Sequence, residues 1–334
     1  MSKKVLILLG PTGVGKTGVS ILLARTLDTE IISADSMQIY RHMDIGTAKP
    51  TAEERSLVKH HMIDIIYPWE NYSVGRYIKE VAPIIDKLHR KGKIPIIVGG
   101  TGLYIKAMTR GIFSGPPADW SLREELLSLE TDEKGFLYTF LKALDPVTAN
   151  KITPNDKRRI IRAIEVCLKS NLSMSEMQKI MTKPLEYEFI KIGLYRNRKE
   201  LYSLIEKRVD EMIRAGLVDE VRKVINLINE HSDAVHSFTH HASRIKHYPS
   251  MQAIGYKEIA LYLEGHIPLE EAIRLIKRGT KRYAKRQLTW FRKEEGVHWI
   301  EITGIFETKE IFKKVQQSLD GIGLHYLEKI LYGK

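Results

Sequence analysis

Five apolar residues, Val5-Leu6-Ile7-Leu8-Leu9, run directly into Gly10-Pro11-Thr12-Gly13-Val14-Gly15-Lys16-Thr17, and an apolar-periodic stretch from Val19 to Leu27 follows. A buried strand, a glycine-rich turn and a helix, in that order, form the setting in which GxxxxGK[ST] folds as a phosphate-binding loop. Glycines let the backbone curl until several N–H groups point inward at an anion. The helix that follows adds the positive end of its dipole. Lys16 supplies a point charge, and Thr17 a hydroxyl suited to Mg2+. An ordinary strand-to-helix turn leaves that Lys-Thr pair unexplained. The loop alone does not choose between a nucleoside triphosphate and a diphosphate leaving group, since both fit the cradle.

The same rhythm continues down the chain. Glu30 to Ala34 is a second short strand ending at Asp35-Ser36, which puts Asp35 at a carboxyl end, the edge where open α/β sheets hold ligands. A polar, irregular stretch from Ser36 to Thr47 is closed by Lys49-Pro50, and a helix is expected from about Thr51 to His60. Ser73 caps a helix with apolar positions from Val74 to Leu88, stopped by Lys91-Gly92. Ile94 to Val98 is a third strand, followed by Gly99-Gly100-Thr101-Gly102 and a helix from Leu103. Strands alternating with helices argue for a parallel sheet. Past Gly111 the pattern changes: 114–119 is turn-rich, and from Ser121 to about Leu185 only helical periodicity is found. Glu188 to Leu194 is strand-like again. Helices are expected over about 198–215, 218–231, 252–264 and 269–292, then a short strand at Val297–Ile300 and a helical tail. The expected fold is α/β: a P-loop NTPase-like core with a parallel sheet flanked by helices. The core comes in two parts, 1–115 and 188–334, with an all-helical insertion domain, 116–187, between them.

The third strand ends in Gly-Gly, where motor ATPases and GTPases carry a carboxylate for Mg2+. Asp35 is the one strand-end carboxylate near the loop. Beside bound phosphates it can serve as metal ligand, general base or cap. Thr101 can touch a substrate or cap its own helix. In the insertion, Asp156 can cap a helix whose core stripe is Ile160, Ile161, Ile164 and Leu168, with Arg158 and Arg162 on one face and Arg159 beside them. The formal net charge of +12 favours phosphate contact for that face and a polyanionic partner, nucleic acid first. Lys281 to Arg292 interleaves basic and aromatic residues; it can grip phosphates, or bury Tyr283 and Trp290 with its cations in water. His231, His236, His240, His241 and His247 have no cysteine or carboxylate pair nearby and fit a surface loop better than a metal site. Cys167 is the sole cysteine, so a reducing compartment is expected, with no disulfide framework and no Cys-based zinc site. No run of about 18 apolar residues exists to span a membrane, and Val5–Leu9 is too short for the core of a signal peptide.

These motifs resemble those of the tRNA dimethylallyltransferases, or isopentenyl-tRNA transferases. The resemblance covers nearly the whole chain. It rests on GPTGVGKT at Gly10–Thr17, SADSMQIYRHMDIGTAKP at Ser33–Pro50, HHMID at His60–Asp64 and VGGTGLYIKA at Val98–Ala107. NDKRRIIRAIE at Asn155–Glu165, QAIGYKE at Gln252–Glu258 and the Lys281–Arg292 stretch complete it. The phosphate loop is unspecific; ADSMQIYR…GTAKP with VGGTGLY at this separation is highly specific. The resemblance implies an enzyme that moves a dimethylallyl group from dimethylallyl diphosphate to N6 of adenosine 37, beside the anticodon. It implies Asp35, Thr101 and Arg208 as catalytic residues, with Asp35 taking the proton. It implies Thr17 with Mg2+ on the diphosphate, Lys16 and Arg208 as cationic partners, and Asp35, Ser36, Met37 and Gln38 around the flipped adenine. Thr101 and Arg123 would line its entry. Arg158, Arg159, Ile160, Ile161, Arg162 and Ala163 would meet the anticodon stem-loop. A cytoplasmic monomer that binds no membrane is expected. Two rival classes share the loop: a small-metabolite or nucleotide kinase, and a nucleotide-switched RNA-binding module.

Overall fold

The computed structural model describes residues 3–113, 115–170, 172–235 and 248–321. Along the chain come β1 (Lys4–Leu9), α1 (Lys16–Thr26), β2 (Ile31–Ala34), α2 (Ala52–Leu57), β3 (His60–His61), α3 (Val74–Arg90), β4 (Ile96–Gly99) and α4 (Gly102–Thr109). Then follow β5 (Ile112–Phe113), α5 (Trp120–Asp132), α6 (Phe136–Leu144), α7 (Pro146–Ala149), α8 (Lys157–Ser170), α9 (Met174–Met181) and β6 (Thr182–Lys183). The chain continues through β7 (Glu188–Tyr195), α10 (Arg198–Arg214), α11 (Leu217–Val235), α12 (Tyr256–Leu263), α13 (Leu269–Phe291), β8 (Val297–Glu301) and α14 (Thr308–Gly321). Two compact units result: Met1–Ile105 together with Glu186–Lys334, and Lys106–Leu185.

The first unit is built on a six-stranded sheet in the order β3-β2-β4-β1-β7-β8. Every pairing in it is parallel. Its strands are apolar on both faces, as a sheet covered by helices on each side requires. Leu6, Leu8, Ile31, Ile96 and Ile192 pack with Val19 and Leu23 of α1 and Ile311 and Val315 of α14. β3 has only two residues, too few to carry a periodicity, and is not foreseen from sequence. Ile94-Pro95 precede β4; Pro95 has no N–H, though its carbonyl still accepts from the Leu6 N–H at 3.0 Å. The helix expected over 252–264 begins only at Tyr256, as α12, after Gly255 at φ 101°; a 3-10 turn at Pro249–Gln252 precedes it.

The second unit packs α5, α6 and α8 around Leu126, Leu137, Leu141, Ile160, Ile161 and Ile164. Two corrections apply here. The unit is not purely helical, since β5 and β6 form a short antiparallel pair. Leu168, assigned above to the core stripe of α8, is 47% exposed; Ala163, Glu165 and Val166 are buried instead. Glu165 is drawn inward because it accepts from the Asp119 N–H at 2.7 Å and pairs with Arg123 at 2.8 Å and with Arg162.

The irregular stretch after β2 is held by polar groups. Lys49 has a side chain only 2% exposed. It donates to the Tyr40 carbonyl at 2.6 Å and to Asp44 at 2.7 Å, and pairs with Asp64, which also binds Arg55 at 2.7 Å. A buried ammonium is tolerated only with such partners. From α11, Glu220 accepts from the backbone N–H groups of Asp44, Ile45 and Gly46 at 2.8, 2.7 and 2.9 Å. The Tyr256 hydroxyl donates to the same carboxylate. Glu220→Ala is therefore expected to lower stability by about 2–4 kcal/mol, because three backbone donors lose a charged acceptor together. Tyr256→Phe removes one donor and should lower it by about 1 kcal/mol. Urea unfolding midpoints check this; a Glu220→Ala shift no larger than that of Tyr256→Phe contradicts the assignment.

Candidate active site

Strand register creates the site. Leu9 pairs with Gly99 and Gly193, and Ala34 pairs with Gly99. The residues that follow, Gly10, Asp35 and Gly100, thus leave three neighbouring strands at one level on the carboxyl edge. Gly13 and Gly15 hold φ of 79° and 106°, values that favour glycine. Gly15 caps α1 without a side-chain hydrogen bond, and no acidic residue occupies the first turn. Pro11 has no N–H, the Val14 N–H bonds the Pro11 carbonyl at 3.4 Å and the Thr12 N–H is held by Gln287 at 2.9 Å. The donors left to face an anion are the Gly13 and Gly15 N–H groups and those of the first turn of α1, where Lys16 and Thr17 sit. Lys16 arches back over the loop and donates to the Gly10 and Pro11 carbonyls at 2.9 Å each.

Asp35, Lys16 and Arg208 share one electrostatic field. Burial pulls the Lys16 ammonium down to about 8; Asp35 opposes this and the positive charge of Arg208 adds to it. Burial likewise lowers Arg208, from α10, and Asp35 again opposes. Asp35 Oδ1 accepts from the Met37 and Gln38 N–H groups at 2.8 and 3.4 Å, so one oxygen fixes the turn. Among the described residues no hydrogen bond engages Oδ2. Gln38 is oriented too: its Oε1 accepts from Ser33 Oγ at 3.0 Å and its Nε2 donates to the Thr47 and Ala48 carbonyls at 3.4 and 3.2 Å. Thr101 Oγ1 accepts from the Ser36 N–H at 3.0 Å, while its carbonyl accepts from Tyr104 and Ile105 to open α4. Thr101 thereby ties the end of β4 to the Asp35–Gln38 turn. Tyr283 of α13 faces the same place. Burial and then the Asp35 charge push its phenol well above the usual range, and hydrogen bonding with Thr101 and Gln287 pulls the other way.

In the second unit, Arg123 and Arg162 are engaged by Glu165, and Arg162 also donates to the Pro116 carbonyl at 2.9 Å. Ile160, Ile161 and Ala163 are buried in that unit's core. The outward groups of the segment are Arg158 and Arg159, the latter 70% exposed beside Asp156 at 3.0 Å. In the first unit, α10 and α13 border a groove of about 480 Å³ lined by Arg198, Arg274, Lys277, Arg278, Lys281, Arg282 and Lys285, with Tyr202 and Glu206. Three residues of the Lys281–Arg292 stretch, Lys281, Arg282 and Lys285, line that groove. Tyr283 and Gln287 face inward from it, and Trp290, 42% exposed, lies against Gly102. His231 lies on α11; His236, His240, His241 and His247 fall outside the described residues, as do Ser114 and the tail from 322 on.

A family model described as IPP transferase matches residues 38–294. The tRNA dimethylallyltransferase of Thermodesulfovibrio yellowstonii is 54% identical over 322 residues, 96% of this chain and 99% of that protein. The chain belongs to the IPP transferase family. Its structure is similar to that of the full-length tRNA isopentenylpyrophosphate transferase of Bacillus halodurans, with a TM-score of 0.68, 39% identity and 98% of each chain covered. A eukaryotic dimethylallyltransferase acting on tRNA aligns with a TM-score of 0.79 at 30% identity, covering 98% of this chain and 80% of that one. The family model begins after the phosphate loop and Asp35, so those residues rest on their own geometry.

Gln287 and Tyr283 were not singled out from sequence as site residues. Gln287 lies 275 positions from the Thr12 it binds, and no local spacing reports such a contact. The one available signal was helical: Tyr283 and Gln287 are i,i+4 on α13, so one face carries both. The lowered Lys16 value yields a pH prediction. Lys16 is charged below about 8 and neutral above it, so its contribution to anion binding should fade as pH rises from about 7 to about 9. Calorimetry with inorganic diphosphate should find the advantage of wild type over Lys16→Met shrinking across that window. A constant advantage contradicts the assignment.

Proposed function

We propose that this chain transfers a dimethylallyl group from dimethylallyl diphosphate to N6 of adenosine 37 of tRNA, next to the anticodon, releasing diphosphate. The observation that carries this reading is the convergence of Lys16, Arg208 and Asp35 on one glycine-lined edge that lacks a second, water-activating carboxylate at the end of β4. The family relatives named above support it.

In this reading the first turn of α1, Lys16 and Arg208 hold the diphosphate and stabilise the negative charge that builds on it as the carbon–oxygen bond breaks. Neither the kinase nor the binding-module alternative is favoured by any feature of the site. Adenine N6 is a poor nucleophile because its lone pair is delocalised into the ring. Asp35 Oδ2 accepts the N6 proton as the new carbon–nitrogen bond forms, while Oδ1 keeps the carboxylate aimed. Ser36, Met37 and Gln38 line the adenine, and Thr101 and Tyr283 close the site beside it. Extruding a base from a loop costs a few kcal/mol, offset by backbone contacts. Arg158 and Arg159 of the 106–185 unit and the α10–α13 groove supply those contacts, and Arg123 would meet the RNA as well. Ile160, Ile161 and Ala163 support α8 from within, and Arg162 holds its end to Pro116.

Among the described residues no cluster of three His, Cys, Asp or Glu could hold a metal ion. Thr17 is the protein hydroxyl that would hold Mg2+ at the loop. Bound there, it would neutralise charge on the diphosphate. No helix among the described residues is long and apolar enough to cross a membrane. A monomer in the cytoplasm is the expected setting.

Asp35→Asn preserves size and hydrogen bonding but not basicity. Transfer should fall about 10²–10⁴-fold, with dissociation constants for tRNA and diphosphate little changed. Prenyl transfer and ATP hydrolysis measured side by side check this. Collapse of diphosphate binding that excess Mg2+ restores would make Asp35 a metal-site residue, and fast ATP hydrolysis without prenylated adenosine would favour the kinase class.

A further inference from the structure

We propose that Arg41 and His42 form a stacking platform for a second, unpaired nucleobase of the RNA, a few nucleotides from the reacting adenosine. The proposal rests on the reading of RNA as the acceptor. The platform continues the adenine-binding turn: Arg41 lies three residues past Gln38. The Gln38–Arg41 segment is zipped to Asp64–Ile66. The Asp64 N–H donates to the Gln38 carbonyl at 3.2 Å, the Ile65 N–H to that of Ile39 at 2.8 Å and the Arg41 N–H to that of Ile66 at 2.8 Å.

Beneath this surface stands a pillar of rings. Tyr67 and Trp69 stack at 4.7 Å and 5°, and Trp69 stacks on His231 at 4.4 Å and 15°. His42 lies 6.2 Å from Tyr67 at 30°, a looser approach. The Arg41 guanidinium carbon is 4.7 Å from the Tyr67 ring centre. Arg41 Nε donates to the Asp64 carbonyl and Nη1 to the Tyr67 hydroxyl, both at 3.0 Å, so its plane is fixed. Trp69 and His231 are partly covered within the pillar; Arg41 and His42 are exposed, with the Tyr67 ring, 36% exposed, between them and Trp69.

The chemistry selects the occupant. Flat guanidinium and imidazole surfaces on a rigid support match a nucleobase face, the usual target of RNA-binding proteins that read single-stranded loops. Two of the five guanidinium N–H groups are spent on Asp64 and Tyr67, which holds the plane along the Tyr67 ring and suits it to stacking. An apolar peptide would meet a cation. The chain's net charge of +12 suits an anionic polymer.

His42 occupies φ 65°, in the left-handed region, so His42→Gly removes the ring while easing the backbone. Arg41→Lys keeps the charge and removes the plane. The probe is an RNA hairpin whose loop carries the target adenosine, with 2-aminopurine replacing each other loop base in turn. Wild-type protein should quench the fluorophore at one loop position. His42→Gly and Arg41→Lys should each abolish that quench and raise KM for the hairpin roughly 5- to 100-fold, the range of one lost stack, with a smaller effect on kcat. Retained quenching and unchanged KM in both variants overturn the proposal. So does an Arg41→Lys variant that behaves as wild type while Arg41→Gln binds weakly, since that makes the contact one of charge alone. The quench is read by binding and does not need turnover. Wild-type protein that binds the hairpin with quenching but never alkylates it would instead defeat the proposed function and leave the platform standing.

Discussion

One buried amide holds the catalytic edge together. Gln287 accepts from the Thr12 N–H and donates to the Gly100 carbonyl, both at 2.9 Å. It joins the phosphate loop to the glycine-lined end of β4. Both ends of the amide are used, so turning it over would set oxygen against oxygen and N–H against N–H. Leaving either backbone group buried without a partner costs about 1–3 kcal/mol. Glycine at 100 is required for a steric reason, since a Cβ there would lie 2.2 Å from the Gln287 nitrogen. The same helix brings Tyr283 to Thr101 one turn earlier and Trp290 to Gly102 one turn later. The second half of the fold thus sets the geometry of the first.

Charge is arranged by the same economy. Asp35 lies within the field of Lys16 and Arg208 and opposes the lowering that burial imposes on both cations. The carboxylate favours their charged forms before an anion arrives, and one of its oxygens is already bound to the turn. Farther out, Lys49 and Glu220 fix the backbone that carries Gln38, so the Asp35–Gln38 turn rests on buried ionic contacts.

Much of this was legible in the sequence. The phosphate loop, the strands β1, β2, β4, β7 and β8 and the position of Asp35 at a strand end all follow from short-range pattern, and the structure contains them. The family resemblance is borne out. Three features escaped. β3 is held by its neighbour alone. Glu165 is a charged residue drawn inside by Arg123 and Arg162, which inverts the usual rule for a helix face and exposes Leu168. Gln287 acts across most of the chain length. Each depends on which segments meet in space, and periodicity along one segment carries no such information.

The central claim is that the loop holds a leaving group rather than a hydrolysed phosphate. It is tested most directly by incubating the protein with tRNA, dimethylallyl diphosphate and Mg2+, then counting products by nucleoside mass spectrometry and diphosphate assay together. The account predicts one dimethylallyl adenosine for each diphosphate released and no release without RNA. Diphosphate released with unmodified adenosine, or prenylation at another nucleoside, would contradict it.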